Sequence, residues 1–352
     1  MMRVQHYIFV VAAVAWTFGH PRSGATGAEP GADPGGPYHI VKELDVGGEG
    51  RWDYVAVDPA AKLLYVPRST HTQVIREETG DVVGDLKDTP GVHGVAVVSD
   101  VGRGFTSNGR GNSVSVFDLK TLQVLGTTST GQNPDCIIYD PASKSVMAFD
   151  GRGNDVTVID PAAAPGAPAK TRIPLTGKPE YAAADGRGRV FVNLEDKSQV
   201  AVIDTTLMKA VAFWKIEGGE SPSGLAIDPD HHRLFVGCHN QVMAILDAET
   251  GKTLGTVPIG KGVDACAFDA QTHEAFASCG DGTVTVAKET SDGKFEVVQT
   301  VHTLPGARTM GLDTKTHTLY LPAMKQQQGA QPAAAGRGAG GFVIVVVARG
   351  SQ

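Results

Sequence analysis

Six ionisable side chains recur near the start of matched segments spaced 40 to 45 residues apart: Asp53, His93, Asp135, Glu180, Asp264 and Arg308, with Ser223 at the remaining position. If these positions converge, carboxylates and an imidazole can exchange protons while a guanidinium holds an anion. His93, Glu180 and Arg308 are the candidates for catalysis, although no motif assigns a reaction to them. Crowded carboxylates could instead raise one another's pKa or share a divalent cation. Nearby segments extend the set. Arg51 and Trp52 precede Asp53, residues 108–112 (NGRGN) and 150–154 (DGRGN) place Arg110 and Arg152 at matched positions, and His239 falls in a loop of the same kind, as do Arg68 and Asp150. Arginine offers a planar fork of donors that fits a carboxylate or phosphate. The expected binding set is therefore Trp52, Asp53, His93, Arg110, Asp135, Arg152, Glu180, His239, Asp264 and Arg308. Polar residues around an opening could equally pair among themselves and line a water-filled channel.

Several chemistries are excluded by pattern. The chain has no GxSxG elbow, HExxH helix, Walker loop or Rossmann fingerprint, and the GRGN segments lead into no helix. Its four cysteines, Cys136, Cys238, Cys266 and Cys279, form no CxxC pair or zinc spacing and read as buried or half-buried thiols. No metal-ligating set is named and no cofactor is required by any motif, with a divalent cation left open. A net charge of -7 and 6% aromatic content disfavour nucleic acid, whose backbone attracts basic surfaces. His231 and His232 read as surface residues of a turn.

The elements that must position these side chains are short strands. Seven segments read as strand, polar turn, strand: they begin at Tyr54, Gly94, Cys136, Tyr181, Gly224, Cys266 and Met310. A third strand is visible in SVSVFD from Ser113, DVTVID from Asp155, QVAVID from Gln199 and QVMAILD from Gln241. Such β-branched, alternating runs bounded by Gly, Asn, Asp and Pro, repeated at about 40 to 45 residues, have the period of four-stranded propeller blades. Asp58, Asp140, Asp185, Asp228, Asp269 and Asp313 occupy the turn between the first two strands, where an aspartate bonds the backbone two residues on. They are structural. The expected fold is all-β, a seven-bladed β-propeller of four-stranded antiparallel blades. The last copy lacks an outer strand after residues 342–349 (FVIVVVAR), and residues 38–46 (YHIVKELDV) are the strand expected to close the ring. A six-bladed ring with one degenerate copy is the rival. The loops entering the inner strands and those joining second to third strands should share one face.

Residues 105–124 (FTSNGRGNSVSVFDLKTLQV) and 190–206 (VFVNLEDKSQVAVIDTT) resemble the YVTN-type repeat of YncE-like bacterial β-propellers. Similarity covers most of the expected mature chain and implies an exported seven-bladed propeller, without implying a reaction. Residues 278–290 (SCGDGTVTVAKET) depart from the repeat, with VAK in place of VID.

The amino terminus carries Arg3, a short apolar run at residues 7–18 and small residues ending at Ala28, which is the order of an export signal. The expected organisation is a signal peptide at 1–28, a flexible segment at 29–37 and the propeller at 38–352, with a periplasmic or secreted location. The Ala/Pro-rich residues 162–170 and the Gln/Ala/Gly-rich residues 326–341 should lack regular structure. Three functions stay open: a binding or scaffold protein with a ligand site at one mouth of the channel, a lactonase-like hydrolase, and a single-stranded nucleic-acid binder using Arg110, Arg152 and Trp52. The first takes a small molecule or a protein partner, with no membrane span and a monomeric state expected.

Overall fold

The computed structural model describes Met1 and residues 36–290, 293–325 and 341–350. The expected signal peptide beyond Met1, most of the segment expected to be flexible after it, and residues 326–340 of the second insertion lie outside the described residues. Period-2 patterning and aspartate turns produce seven four-stranded antiparallel sheets, six of them in simple sequence order. Blades 1 to 6 span residues 56–86, 92–129, 134–174, 179–215, 222–258 and 263–302. Blade 7 takes three strands from residues 311–349, and its outer strand is Tyr38–Asp45, paired antiparallel with Phe342–Arg349 from Tyr38 opposite Arg349 to Asp45 opposite Val343. The closing strand and the count of seven both match expectation; the six-bladed alternative is excluded.

Each turn aspartate works as its sequence context implies. Asp58 Oδ1 accepts the N–H groups of Ala60 and Ala61 at 3.1 Å, and Asp313 Oδ1 accepts that of Lys315 at 2.8 Å. All six such aspartates are buried. A buried carboxylate oxygen that satisfies two amide donors fixes the reversal of the chain.

The apolar residues form seven separate cores, one between each pair of neighbouring blades. The core between blades 6 and 7 holds Phe276, Leu319 and Val345, and that between blades 7 and 1 holds Leu64, Ile75 and Phe342. A core between the last blade and the first is the packing consequence of ring closure. The blades approach closely near the axis: a Cβ on Gly224 of blade 5 would lie 2.6 Å from the backbone of Ala265 in blade 6. No side chain fits there.

The four cysteines are free and buried. Residues 162–170 contain no strand, as expected, but they are tethered to blade 2. Arg103 donates to the Ala163 carbonyl at 2.5 Å, and the Thr128 hydroxyl to the Ala167 carbonyl at 3.1 Å. Among the described residues, no helix is long and apolar enough to cross a membrane.

Candidate functional site

A backbone irregularity aims the ring residues. In blades 2 to 6 the pairing of first and second strands slips across the position that carries His93, Asp135, Glu180, Ser223 or Asp264. Such bulges re-aim a side chain out of the sheet alternation, here towards the axis. Contacts then run between neighbouring blades. His93 Nδ1 lies 2.7 Å from Asp53 Oδ2 and 3.4 Å from Asp135 Oδ1. Across the ring, the Ser223 hydroxyl donates to Asp264 at 3.0 Å, Arg308 pairs with the same carboxylate, and the Thr309 hydroxyl donates to the Asp53 carbonyl at 3.0 Å.

Below this ring, Tyr54 of blade 1 and Tyr181 of blade 4 meet with centroids 4.9 Å apart at 61°. They narrow the channel into a cup, leaving a void of about 100 Å³ beneath, lined also by Val95 and Cys136. A sequence signal for this floor existed. The residue following the ring position is Gly94, Cys136, Gly224, Ala265 or Thr309 in five blades, and bulky only at Tyr54 and Tyr181.

Above the ring lies a cavity of about 680 Å³, lined by Arg51, Trp52, Asp53, His93, Arg110, Asn133, Arg152 and Arg308 among others. The lining comes from entry loops and second-to-third strand loops together, so the two loop classes share a face as the topology required. Arg308 is paired with Asp264, whereas Arg51, Arg110 and Arg152 are exposed and have no carboxylate partner among the described residues.

Burial and mutual charge set the protonation of the ring. Burial opposes the charge on His93, but the Asp53 hydrogen bond and the Asp135 and Glu180 carboxylates outweigh it and raise its pKa to about 9. Burial lifts Asp135 to about 6 against the pull of His93, and burial with the Asp135 charge lifts Glu180 to about 8 despite Lys178, 2.9 Å away. Asp264 is raised by burial in spite of Arg308, and Tyr54 is held well above the ordinary phenol by burial and by Asp264, Asp135, Glu180 and Asp53. The cup thus combines an imidazolium, carboxyls whose pKa values are raised by burial, and exposed guanidiniums. One ligand atom each of Asp53, His93 and Asp135 falls within 4.8 Å of the others, close enough for a cation to replace the proton.

Of the expected binding residues, Trp52, Asp53, His93, Arg110, Arg152 and Arg308 line the cavity, while Asp135, Glu180 and Asp264 belong to the ring network beneath it. His239 is exposed on its loop and does not line the cavity. Two neighbouring expectations are corrected. Arg68 is buried, donating to the carbonyls of Gly47, Gly48 and Gly50, and Asp150 is buried, accepting from the Thr157 hydroxyl at 2.7 Å. Both hold loops rather than face the opening. Lys178, which pairs with both Glu180 and Glu195, escaped sequence reasoning. Its only signal is a position two residues before a ring carboxylate. No family model matches this chain, and no curated protein matches it.

These protonation states give a stability profile with a definite sign. Glu180 keeps its proton in the folded chain up to about 8 and loses it near 4.5 when unfolded, so its contribution is present below the lower value and lost as pH rises through the upper. His93, raised from 6.5 to about 9, acts in the same direction over its own window. Within its window each group changes the folding free energy by about 1.4 kcal/mol per pH unit. Tm measured calorimetrically is expected to fall from pH 5 to pH 9, and Glu180→Gln to flatten the fall. A Tm that rises over this range contradicts the assignment.

Proposed function

We propose that this protein binds a small anionic molecule in the cup at one mouth of its propeller. The observation that carries the reading is the set of three exposed guanidiniums, Arg51, Arg110 and Arg152, which line a cavity of about 680 Å³ and have no carboxylate partner among the described residues. That volume lies within the roughly 300–1,000 Å³ range of small-ligand sites. A guanidinium without a partner is ready to pair with carboxylate or phosphate oxygens, and the His93 imidazolium adds positive charge at the cup's base. The tyrosine floor favours a compact ligand over a threaded polymer. Net charge of -7 also argues against nucleic acid. Kinship with YncE-like propellers and a periplasmic or secreted location are parts of the same proposal, supported by the repeats and by the pattern of residues 1–28.

Titration calorimetry with citrate, D-gluconate and glucose 6-phosphate tests the reading, with a thymidine oligonucleotide as control. At least one small anion should bind saturably, and Arg110→Ala or Arg152→Ala should weaken it about tenfold or more, the equivalent of one charge-assisted bond of ~1.5 kcal/mol. Binding of the oligonucleotide alone, with a steep loss on adding salt, would replace the small anion with single-stranded nucleic acid. Binding unchanged by either substitution would remove the cup as the site.

One observation favours a second reading, a lactonase-like hydrolase. His93 is oriented at Nδ1 by two carboxylates, the arrangement that holds an imidazole for acid or base work, and Arg308 lines the same cavity. Glu180, the third catalytic candidate, lies in the ring network and lines none of the cavity. Steady turnover of D-glucono-1,5-lactone, lost in His93→Gln, would establish this reading over simple binding.

A further inference from the structure

We propose that the opposite face carries a site for a divalent transition-metal ion, formed by Asp228 and His231 of blade 5 and His273 of blade 6. Asp228 Oδ1 accepts the N–H groups of Asp230 at 3.1 Å and His231 at 3.2 Å, which fixes the carboxylate and leaves Oδ2 as its outward oxygen. His231 Nδ1 lies 2.7 Å from that Oδ2. His273 arrives from the next blade, its ring centroid 5.3 Å from that of His231 with the planes at 74°. One ligand atom from each of the three falls within 4.8 Å of the others. Tetrahedral zinc with nitrogen and oxygen ligands at roughly 2.0–2.2 Å needs them about 3.3 Å apart. Both imidazoles are exposed, so rotation of two surface side chains reaches that spacing, and water completes the coordination.

The repeat supplies an internal comparison. His317 occupies in blade 7 the left-handed turn position that His273 occupies in blade 6, both at φ 55°, and its Nδ1 lies 2.5 Å from Asp269 Oδ2 of the preceding blade. His317 thus bonds the turn aspartate of the preceding blade and His273 comes near Asp228 in the same way, whereas His232, at the equivalent position in blade 5, pairs with Glu249 of its own blade. What occurs at Asp228 alone among these turns is the second imidazole. The position of His231, three residues after the aspartate, is Ala61, Ser143, Thr272 and Thr316 in the turns of the same length that begin with aspartate. Chain reversal therefore makes no demand for histidine there. Two imidazole nitrogens with one carboxylate oxygen suit zinc, nickel or copper, while magnesium and calcium prefer more oxygen ligands.

The probe is zinc sulfate, titrated calorimetrically at pH 7.5 into protein free of any histidine tag. The expected result is one saturable site per chain, weakened by about tenfold or more in His231→Ala and in His273→Ala, since even outer-shell changes cost a metal site that much. His317→Ala should leave the affinity unchanged. Circular dichroism of each variant checks that the fold persists. No saturable binding, binding equally sensitive to His317→Ala, or binding that survives His231→Ala with His273→Ala but disappears in His93→Gln would overturn the assignment. The site is independent of the ligand proposed for the cup.

Discussion

Deletion of Tyr38–Asp45 is expected to abolish stable folding of the ring and to leave the chain in aggregates. The strand pairs with residues 343–349 of Phe342–Arg349, whose first six residues are buried. Without it those residues become an outer edge of apolar, β-branched backbone, the kind of strand that pairs with other chains. Tyr38 also crosses into blade 6: its hydroxyl donates to Glu274 at 2.7 Å, its amide donates to the Gln299 side chain at 3.0 Å, and its ring meets Phe276 edge-on at 5.2 Å. Removal therefore opens a blade edge and two of the seven cores together, since Tyr38 packs between blades 6 and 7 and Leu44 between blades 7 and 1. A circular permutant separates loss of the strand from loss of the terminus. Gly350 donates its N–H to the Pro37 carbonyl at 2.7 Å, so a short Gly/Ser hairpin after residue 350 can lead directly into residues 37–46 moved to that end. Size-exclusion chromatography and thermal melts should show aggregates or early unfolding for the deletion and near-normal behaviour for the permutant. A deletion variant that remains monodisperse with an unchanged Tm would show that the closing strand is dispensable.

Arg68→Met is expected to cost about 3 kcal/mol or more, a drop in Tm on the order of 5 °C for a ring of this size. The side chain is 1% exposed, and burial alone pulls its pKa down to about 10, with no carboxylate offsetting that effect. Its guanidinium donates to Gly47 at 2.9 Å, Gly48 at 3.1 Å and Gly50 at 3.0 Å, and also to Gln73. It lies 3.6 Å from the centre of the Phe342 ring. These contacts tie the segment leading from the closing strand to Arg51, Trp52 and Asp53, so they position the first wall of the cup. Methionine keeps the apolar stem and removes every donor, leaving several carbonyls to find water. Thermal melts measure the loss, and anion binding measured on the same variant should weaken with it. A neutral Tm would mean that the loop is held by other contacts.

The two arginine predictions mark where sequence reading succeeded and where it did not. Arg110 and Arg152 were legible because NGRGN and DGRGN repeat at matched positions on adjacent blades, and an arginine flanked by glycines in a tight turn points outward. Arg68 falls in a loop of the same class, yet its side chain turns inward because three glycines, from Gly47 to Gly50, allow the preceding loop to lie across it. Gly50 itself has φ 98°, and a Cβ there would stand 2.3 Å from the Arg68 carbonyl oxygen. Asp150 was misread for a similar reason. It opens a loop by position, but Thr157 and the Asp155–Arg172 pair enclose it.

By itself the sequence determined the blade count, the order of strands, the turn aspartates and the strand that closes the ring. Each depends on alternation of side chains or on hydrogen bonds two or three residues apart, and local chemistry repeated seven times is readable without coordinates. Only the tertiary structure decided which polar residues meet. Asp53, His93 and Asp135 are about 40 residues apart in the chain and come within bonding distance because inner strands converge on one axis and bulges re-aim their side chains. The Tyr54–Tyr181 floor, the raised pKa values of Glu180 and Asp135, and the meeting of His273 with Asp228 follow from the same cause. Distances between blades, and the burial that shifts a proton, are set by the curvature of the closed ring, which no single repeat contains.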